Sequence, residues 1–205
     1  MTAYALVAAI GYLLGSLPFG WLVARLHGVN IFEVGSKNPG ATNVRRALGA
    51  RAGNLVFVLD ALKGAVATGW PMAVRPLSVN LLTYCLISLV AALLGHSFSC
   101  FTGFKGGKGV ATGTGGLLVL LPGSTVVAAV VWVAAFYGTG YVSLASILAA
   151  VALPLAAFFI FGCPKPLLVA AVLISVFVIG RHRSNIARLL NGTEHKFEKK
   201  KDGAG

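Results

Sequence analysis

The chain has 205 residues, 57% of them hydrophobic and 11% charged, with a formal net charge of +12. Soluble globular domains carry about 25% charged residues, so this composition excludes an ordinary water-soluble fold and points to a polytopic membrane protein. The positive balance is the excess a membrane protein gathers on its cytoplasmic side, and it does not call for a nucleic-acid partner.

Apolar segments fall at 3–26, 54–72, 78–96, 109–121, 124–138, 142–161 and 166–181, which predicts an all-α bundle of about seven transmembrane helices. The first segment has no basic stretch before it; Arg25 and His27 come afterwards, so it reads as a retained helix rather than a cleaved leader. The fourth and fifth are short, about 20 Å each against ~30 Å of hydrocarbon, so they span thinly or turn back at Pro122-Gly123. Residues 1–197 form one integral-membrane domain in this reading, and 198–205 a basic polar tail. With the N-terminus outside, fourteen Lys and Arg fall on the cytoplasmic side, against Arg75 and Lys165 outside. That asymmetry sets the N-terminus outside and the C-terminus in the cytoplasm. The polar stretches 27–51, 97–108, 138–146 and 181–201 then share the cytoplasmic face, and the chemistry is expected there.

The first stretch holds "GSKNPGATNVRRALG", Gly35 to Gly49. Ser36, Asn38, Thr42 and Asn43 supply hydrogen-bonding groups, and Thr42 or Asn43 is expected to cap a short helix through Arg45 and Arg46. Helix N-termini attract anions and Arg presents a planar fork suited to phosphate, although an interfacial helix with headgroup-facing arginines would use the same residues. Asp60 and Lys63 follow at i, i+3 inside the second segment, where a structural ion pair is a better reading than a proton relay.

The next stretch, "GHSFSCFTGFKGGKGVATG", is the most unusual. It fails as a nucleotide P-loop: Thr102 stands where the first glycine belongs, and Gly109 where a Ser or Thr would bind magnesium. Gly106, Gly107 and Gly109 let backbone amides converge on an anion, Lys105 and Lys108 add charge, and a helix starting near Val110 adds its positive end. His96 is a base, a phosphate donor or a hydrogen-bonded structural histidine.

Ser143 and Ser146 share a helix face, a common form of interhelical glue. Near the C-terminus, "RHRSNIARLLNGTE" places His182 and Asn185 at the end of the last segment and predicts a short interfacial helix over 184–190, ended by Asn191-Gly192. Glu194 belongs to a scarce class of five carboxylates and is expected to pair with an arginine. Cys85, Cys100 and Cys163 have no metal-ligand spacing, and no nucleophile–base arrangement is evident. Such equipment binds phosphates and stabilises charge, which suits an enzyme acting on an already activated substrate.

Together, "GSKNPGATNVRRALG", "GHSFSCFTGFKGGKGVAT", "YVSLASI" and "RHRSNIARLLNGTE" closely resemble the bacterial membrane acyl-phosphate:glycerol-3-phosphate acyltransferase family, in order and spacing, over roughly residues 4 to 197. The resemblance implies transfer of an acyl group from acyl phosphate to the 1-hydroxyl of glycerol 3-phosphate, releasing lysophosphatidate and inorganic phosphate, without metal or other cofactor. It implies a multi-pass protein of the bacterial cytoplasmic membrane whose active site faces the cytoplasm, with the bilayer and two substrates as partners and no obligate protein partner.

Carried over by motif, Ser36, Arg46, Lys105, His182 and Asn185 are the expected catalytic residues. They bind substrate together with Asn38, Thr42, Asn43, His96, Gly106, Gly107, Lys108, Gly109 and Ser143, while Glu194 is structural. Arg45 falls off the motif position. The proton of the attacking hydroxyl goes to His96, His182 or a substrate phosphate. Two residues depart from the family pattern: Lys37, where glycine is common, and Ser99, where proline often follows the Phe.

Overall fold

The computed structural model describes residues 2–74 and 81–197, and every regular element among them is helical. The helices are α1 (Thr2–Ser16), α2 (Phe19–Leu26), α3 (Ala41–Leu48), α4 (Ala50–Val74), α5 (Leu81–Ser97), α6 (Val110–Leu120), α7 (Pro122–Thr139), α8 (Val142–Phe159), α9 (Lys165–Arg181) and α10 (Arg183–Leu190), with one 3-10 turn at Cys100–Thr102. The break at 75–80, with Arg75, and the tail at 198–205, with Lys199, Lys200 and Lys201, lie outside the described residues. Among the described residues, five stretches are long and apolar enough to cross a membrane: α1 with α2, α4, Leu81–Thr102, α7 and α8. The pair α9 and α10, bent by 58°, makes a sixth if it is one span. Helix α6 has 11 residues, about 17 Å at 1.5 Å per residue, shorter than the ~30 Å of hydrocarbon, so that it could pass only as a thin span.

The chain divides into two compact units, Met1–Leu120 and Leu121–Gly205. In the first, α1 packs along α5, and α4 lies against α3, α5 and α6. The backbones approach closely because the seams are lined by small residues. A Cβ on Gly11 would sit 2.6 Å from the Ser88 carbonyl oxygen, and one on Gly15, Gly64 or Gly115 would overlap the backbone of Ala92, Thr112 or Ala61. Helices in lipid have little hydrophobic force between them and gain contact this way. A separate core of Val23, Ala24, Ile31, Val44 and Val56, flanked by Trp21 and Phe32, pins α2, the 27–40 loop and α3 onto α4. Each fully buried Val or Ile contributes about 1.5–3 kcal/mol.

The first apolar segment, expected as one helix over 3–26, is broken at Leu17-Pro18. Pro18 lacks the N–H that would continue the ladder and disfavours helical backbone at Leu17. The carbonyls freed at the break find side-chain donors: Ser99 Oγ donates to Ser16 O at 2.6 Å and Lys63 Nζ to Leu17 O at 2.7 Å. Buried backbone oxygens left unpaired would be costly, so the break and its two partners form one device.

In the second unit α8 packs between α7 and α9, and α10 touches both α8 and α9. Pro122 and Gly123, between the two segments expected to be short, occupy the first turn of α7, where proline's missing N–H has no helical acceptor in any case. The start at Pro122 gives α7 18 residues, longer than the expected 124–138. Trp132 Nε1 donates to Ser146 Oγ at 3.1 Å, tying α7 to α8. Helix α10 ends at Leu190, followed by Asn191 and Gly192 with φ +68.

Candidate active site

Asn43 organises the first motif, but not as a helix cap. The N-cap of α3 is Gly40, which makes no side-chain cap bond, and the expected role for Thr42 or Asn43 does not materialise. Asn43 is buried and turns back into the preceding loop: its Oδ1 accepts from Ser36 N at 2.9 Å, and its Nδ2 donates to Val34 O at 3.0 Å and Ile31 O at 3.4 Å. One buried amide thereby ties Ile31, Val34 and Ser36 of the loop to α3. Ser36 and Lys37 are exposed. Lys37 adopts φ +53, a left-handed conformation that costs a non-glycine residue roughly 1–2 kcal/mol, which is the physical content of its departure from glycine. On α3 Arg45 is exposed and Arg46 half-buried; Thr42 is half-buried one turn earlier.

Asn38 joins this motif to the glycine loop. Its Oδ1 accepts from Gly40 N at 2.9 Å and its Nδ2 donates to Gly106 O at 3.1 Å, 68 residues away. The loop folds on Ser99, whose hydroxyl accepts from Phe101 N at 3.2 Å and whose carbonyl accepts from Phe104 N at 2.8 Å. Ser99 has φ −69, an angle proline also adopts, so the departure costs no strain and adds the hydroxyl that satisfies Ser16 O. Gly103 and Phe104 both have positive φ, +59 and +61, turning the chain so that Phe104 and Lys105 are exposed.

Beyond Lys105 the loop closes onto His96: Gly107 N donates to His96 O at 3.0 Å. A Cβ on Gly107 would overlap His96 Nε2, and one on Gly106 would overlap the His96 and Ser97 backbone. Only glycine allows the chain this close. Lys108 is half-buried, Gly109 has φ +83, and α6 begins at Val110, so the positive end of a helix follows the loop directly.

Under the loop lies a small cavity lined by Ser16, Pro18, Asp60, Lys63, His96, Ser99, Lys105, Gly106 and Gly107, among others. Lys63 Nζ and Asp60 Oδ1 are 2.7 Å apart, and His96 Nδ1 is 3.7 Å from the same Asp60 oxygen. The three side chains are all buried. Of the expected site residues, His96, Lys105, Gly106 and Gly107 meet at this cavity, and Asn38 borders it through Gly106. Ser36, Thr42, Arg46, Lys108 and Gly109 are not among its lining. The sequence reading missed Ser16, the Leu17 carbonyl and Ser99 here. The Pro18 inside an apolar run was the available signal.

The later motifs gather in the second unit around Glu194. Ser143 Oγ and Asn185 Nδ2 donate to Glu194 Oε1 at 2.9 and 2.8 Å, and Arg188 Nε donates to Oε2 at 2.7 Å. Burial alone would raise the Glu194 carboxyl; the bonds from Asn185, Arg188 and Ser143, with the Arg188 charge, outweigh it and hold the pKa below the usual value. His182 is buried at the α9–α10 bend, where Nδ1 donates to Val178 O at 2.7 Å. A carbonyl can only accept, so Nδ1 carries a proton, and this bond fixes the orientation of the ring.

A protein-family model described as glycerol-3-phosphate acyltransferase matches residues 5–192. The chain belongs to the glycerol-3-phosphate acyltransferase family. Among the family, the glycerol-3-phosphate acyltransferase of Fusobacterium nucleatum subsp. nucleatum is 43% identical over 198 residues, covering 96% of this chain and 99% of that protein. The Aquifex aeolicus enzyme is 45% identical over 186 residues, covering 91% and 95%. The crystal structure of PlsY (YgiH), an integral membrane glycerol 3-phosphate acyltransferase, in its glycerol 3-phosphate form, matches with a TM-score of 0.88 at 41% identity, over 96% of each chain. Its lysophosphatidic acid form matches with a TM-score of 0.85 at the same identity and coverage.

Proposed function

We propose that the chain transfers a fatty acyl group from acyl phosphate to the 1-hydroxyl of glycerol 3-phosphate, giving lysophosphatidate and inorganic phosphate for phospholipid synthesis. The observation that carries this reading is the likeness over nearly the whole chain to a membrane glycerol 3-phosphate acyltransferase with glycerol 3-phosphate bound. The glycine loop fits the role, because amides, a helix N-terminus and lysines are what a phosphate needs and do little covalent work. An acyl phosphate is a mixed anhydride whose leaving group is already good. The hydroxyl oxygen attacks the carbonyl carbon, the carbon–oxygen bond to phosphate breaks, and the hydroxyl proton ends on the departing phosphate.

In this reading Arg46, Ser36 and Lys105 hold glycerol 3-phosphate, with His182 and Asn185 completing the reacting set and Asn38, Thr42, Asn43 and Ser143 shaping it. The bundle has about seven spans in one domain over 1–197, the N-terminus outside, and the active site at the cytoplasmic face of a bacterial inner membrane. Purified protein given palmitoyl phosphate and glycerol 3-phosphate is expected to make lysophosphatidate, with palmitoyl-CoA inert. No product from palmitoyl phosphate, or equal product from palmitoyl-CoA, rejects the proposed donor.

A further inference from the structure

The proposed reaction uses neither Asp60 nor Lys63, yet both are almost fully buried in the middle of α4. A buried ion pair is seldom kept for stability, since apolar residues of similar volume usually do as well or better. The geometry offers another use. Lys63 Nζ lies 2.7 Å from Asp60 Oδ1 and donates to Leu17 O, the carbonyl freed where Pro18 breaks the first span. Asp60 Oδ1 lies 3.7 Å from His96 Nδ1, on the side of the ring away from Nε2. His96 in turn holds the loop twice: its carbonyl accepts Gly107 N, and its Nε2 edge fills the place where a Cβ on Gly107 would lie.

We propose that Asp60 and Lys63 are positioning residues for the glycine loop, fixing the helix break on one side and His96 on the other so that the amides around Gly106 and Gly107 are held ready for a substrate phosphate. The proposal rests on reading that loop as phosphate-binding. It explains why both charges line the same cavity as Lys105, Gly106 and Gly107. It also explains why the pair is tied outward to Leu17 and His96 rather than only to itself. Prearranged amides bind an anion without first paying to order the loop, so loosening the arrangement weakens binding more than it slows the chemical step.

The test uses the full-length protein in detergent and the double variant Asp60→Leu/Lys63→Met, which removes both charges without orphaning either. Affinity for glycerol 3-phosphate and for palmitoyl phosphate is measured by calorimetry, and KM and kcat are measured in parallel. The expected result is a folded protein whose unfolding temperature falls by no more than loss of the donor to Leu17 O explains, at least a tenfold loss of affinity and rise in KM for one phosphate substrate, and kcat within threefold. The reversed pair Asp60→Lys/Lys63→Asp is expected to remain equally weak, because its ammonium no longer reaches Leu17 O. Unchanged affinity in the first variant, wild-type affinity in the reversed pair, or loss of the folded protein in both would make the pair merely structural and overturn the proposal. Parent protein that binds both phosphates but transfers no acyl group would sink the proposed reaction instead, and the affinity comparison would still decide this one.

Discussion

Asn185 Nδ2 lies 2.8 Å from Glu194 Oε1, nine residues further along the chain, in a buried setting. The same oxygen accepts the Ser143 hydroxyl, and the other accepts Arg188. One carboxylate therefore sets the rotamers of two expected substrate-binding side chains.

Glu194→Leu removes both acceptor oxygens, so the buried donors of Ser143 and Asn185 lose their partner, at about 1–3 kcal/mol each. A lower unfolding temperature is expected, together with reduced activity as Ser143 and Asn185 lose their anchor. Arg188→Gln is expected to cost less, because the Arg188 side chain is 38% exposed and such pairs are worth at most about 1 kcal/mol. A larger effect at Arg188 than at Glu194 would reject this ranking.

The same carboxylate gives a pH dependence. Its folded pKa lies below its unfolded value, so its stabilisation is fully present above the ordinary carboxylate pKa of 4.5 and is lost as pH falls through the lower folded value. Unfolding followed from neutral pH downward is expected to show the wild type's advantage over Glu194→Leu shrinking below about pH 4.5. A difference that stays constant into that range would contradict the sign.

Arg45 and Arg46 test the first motif. Arg46→Ala is expected to lose more than tenfold in kcat/KM, which is more than ~1.4 kcal/mol of transition-state stabilisation, and Arg45→Ala much less. Arg46 is half-buried on α3 and Arg45 exposed, so solvent can replace the second far more readily. Equal losses in well-folded protein would remove the assignment.

Three glycines separate space from conformation. Gly106→Ala and Gly107→Ala put a Cβ into the His96 backbone and ring respectively, and both are expected to raise KM for a phosphate substrate at least tenfold. Gly106 is the more damaging because backbone yields less than a ring. Gly103→Ala meets nothing but keeps φ +59, so its cost is a backbone strain of about 1–2 kcal/mol with little change in KM. Matching kinetics across all three would mean that the loop only packs helices.

Two native cysteines report orientation. Cys100 is exposed on the glycine loop and Cys163 is half-buried in the turn before α9. With the site facing the cytoplasm, a membrane-impermeant maleimide on intact cells is expected to label Cys163 and spare Cys100, and inverted vesicles to reverse the pattern. Cys100 labelled from outside would invert the topology.

Much of this was legible from residue order alone. Seven apolar runs anticipated the main helices because hydrocarbon leaves a backbone no partner but itself, so length and composition are sufficient signals. The glycine loop was legible because "KGGKG" has no packing reason to carry two cations. The charge balance pointed to the cytoplasmic face, and the glycine, lysine and arginine motifs to phosphates, before any geometry was known.

What the sequence could not determine was which freed group meets which donor. That Pro18 breaks a helix follows from its missing N–H, but that Lys63 and Ser99 answer Leu17 O and Ser16 O depends on residues 46 and 83 positions apart in sequence. Asn43 was expected at a cap and instead anchors the loop before it, because a buried amide satisfies whichever backbone groups the fold brings within reach. Ser143 and Asn185 are likewise set by Glu194 through contacts no local pattern encodes. Segment identity is a property of composition along the chain; the partner of each buried polar atom is a property of packing, and only the tertiary structure decides it.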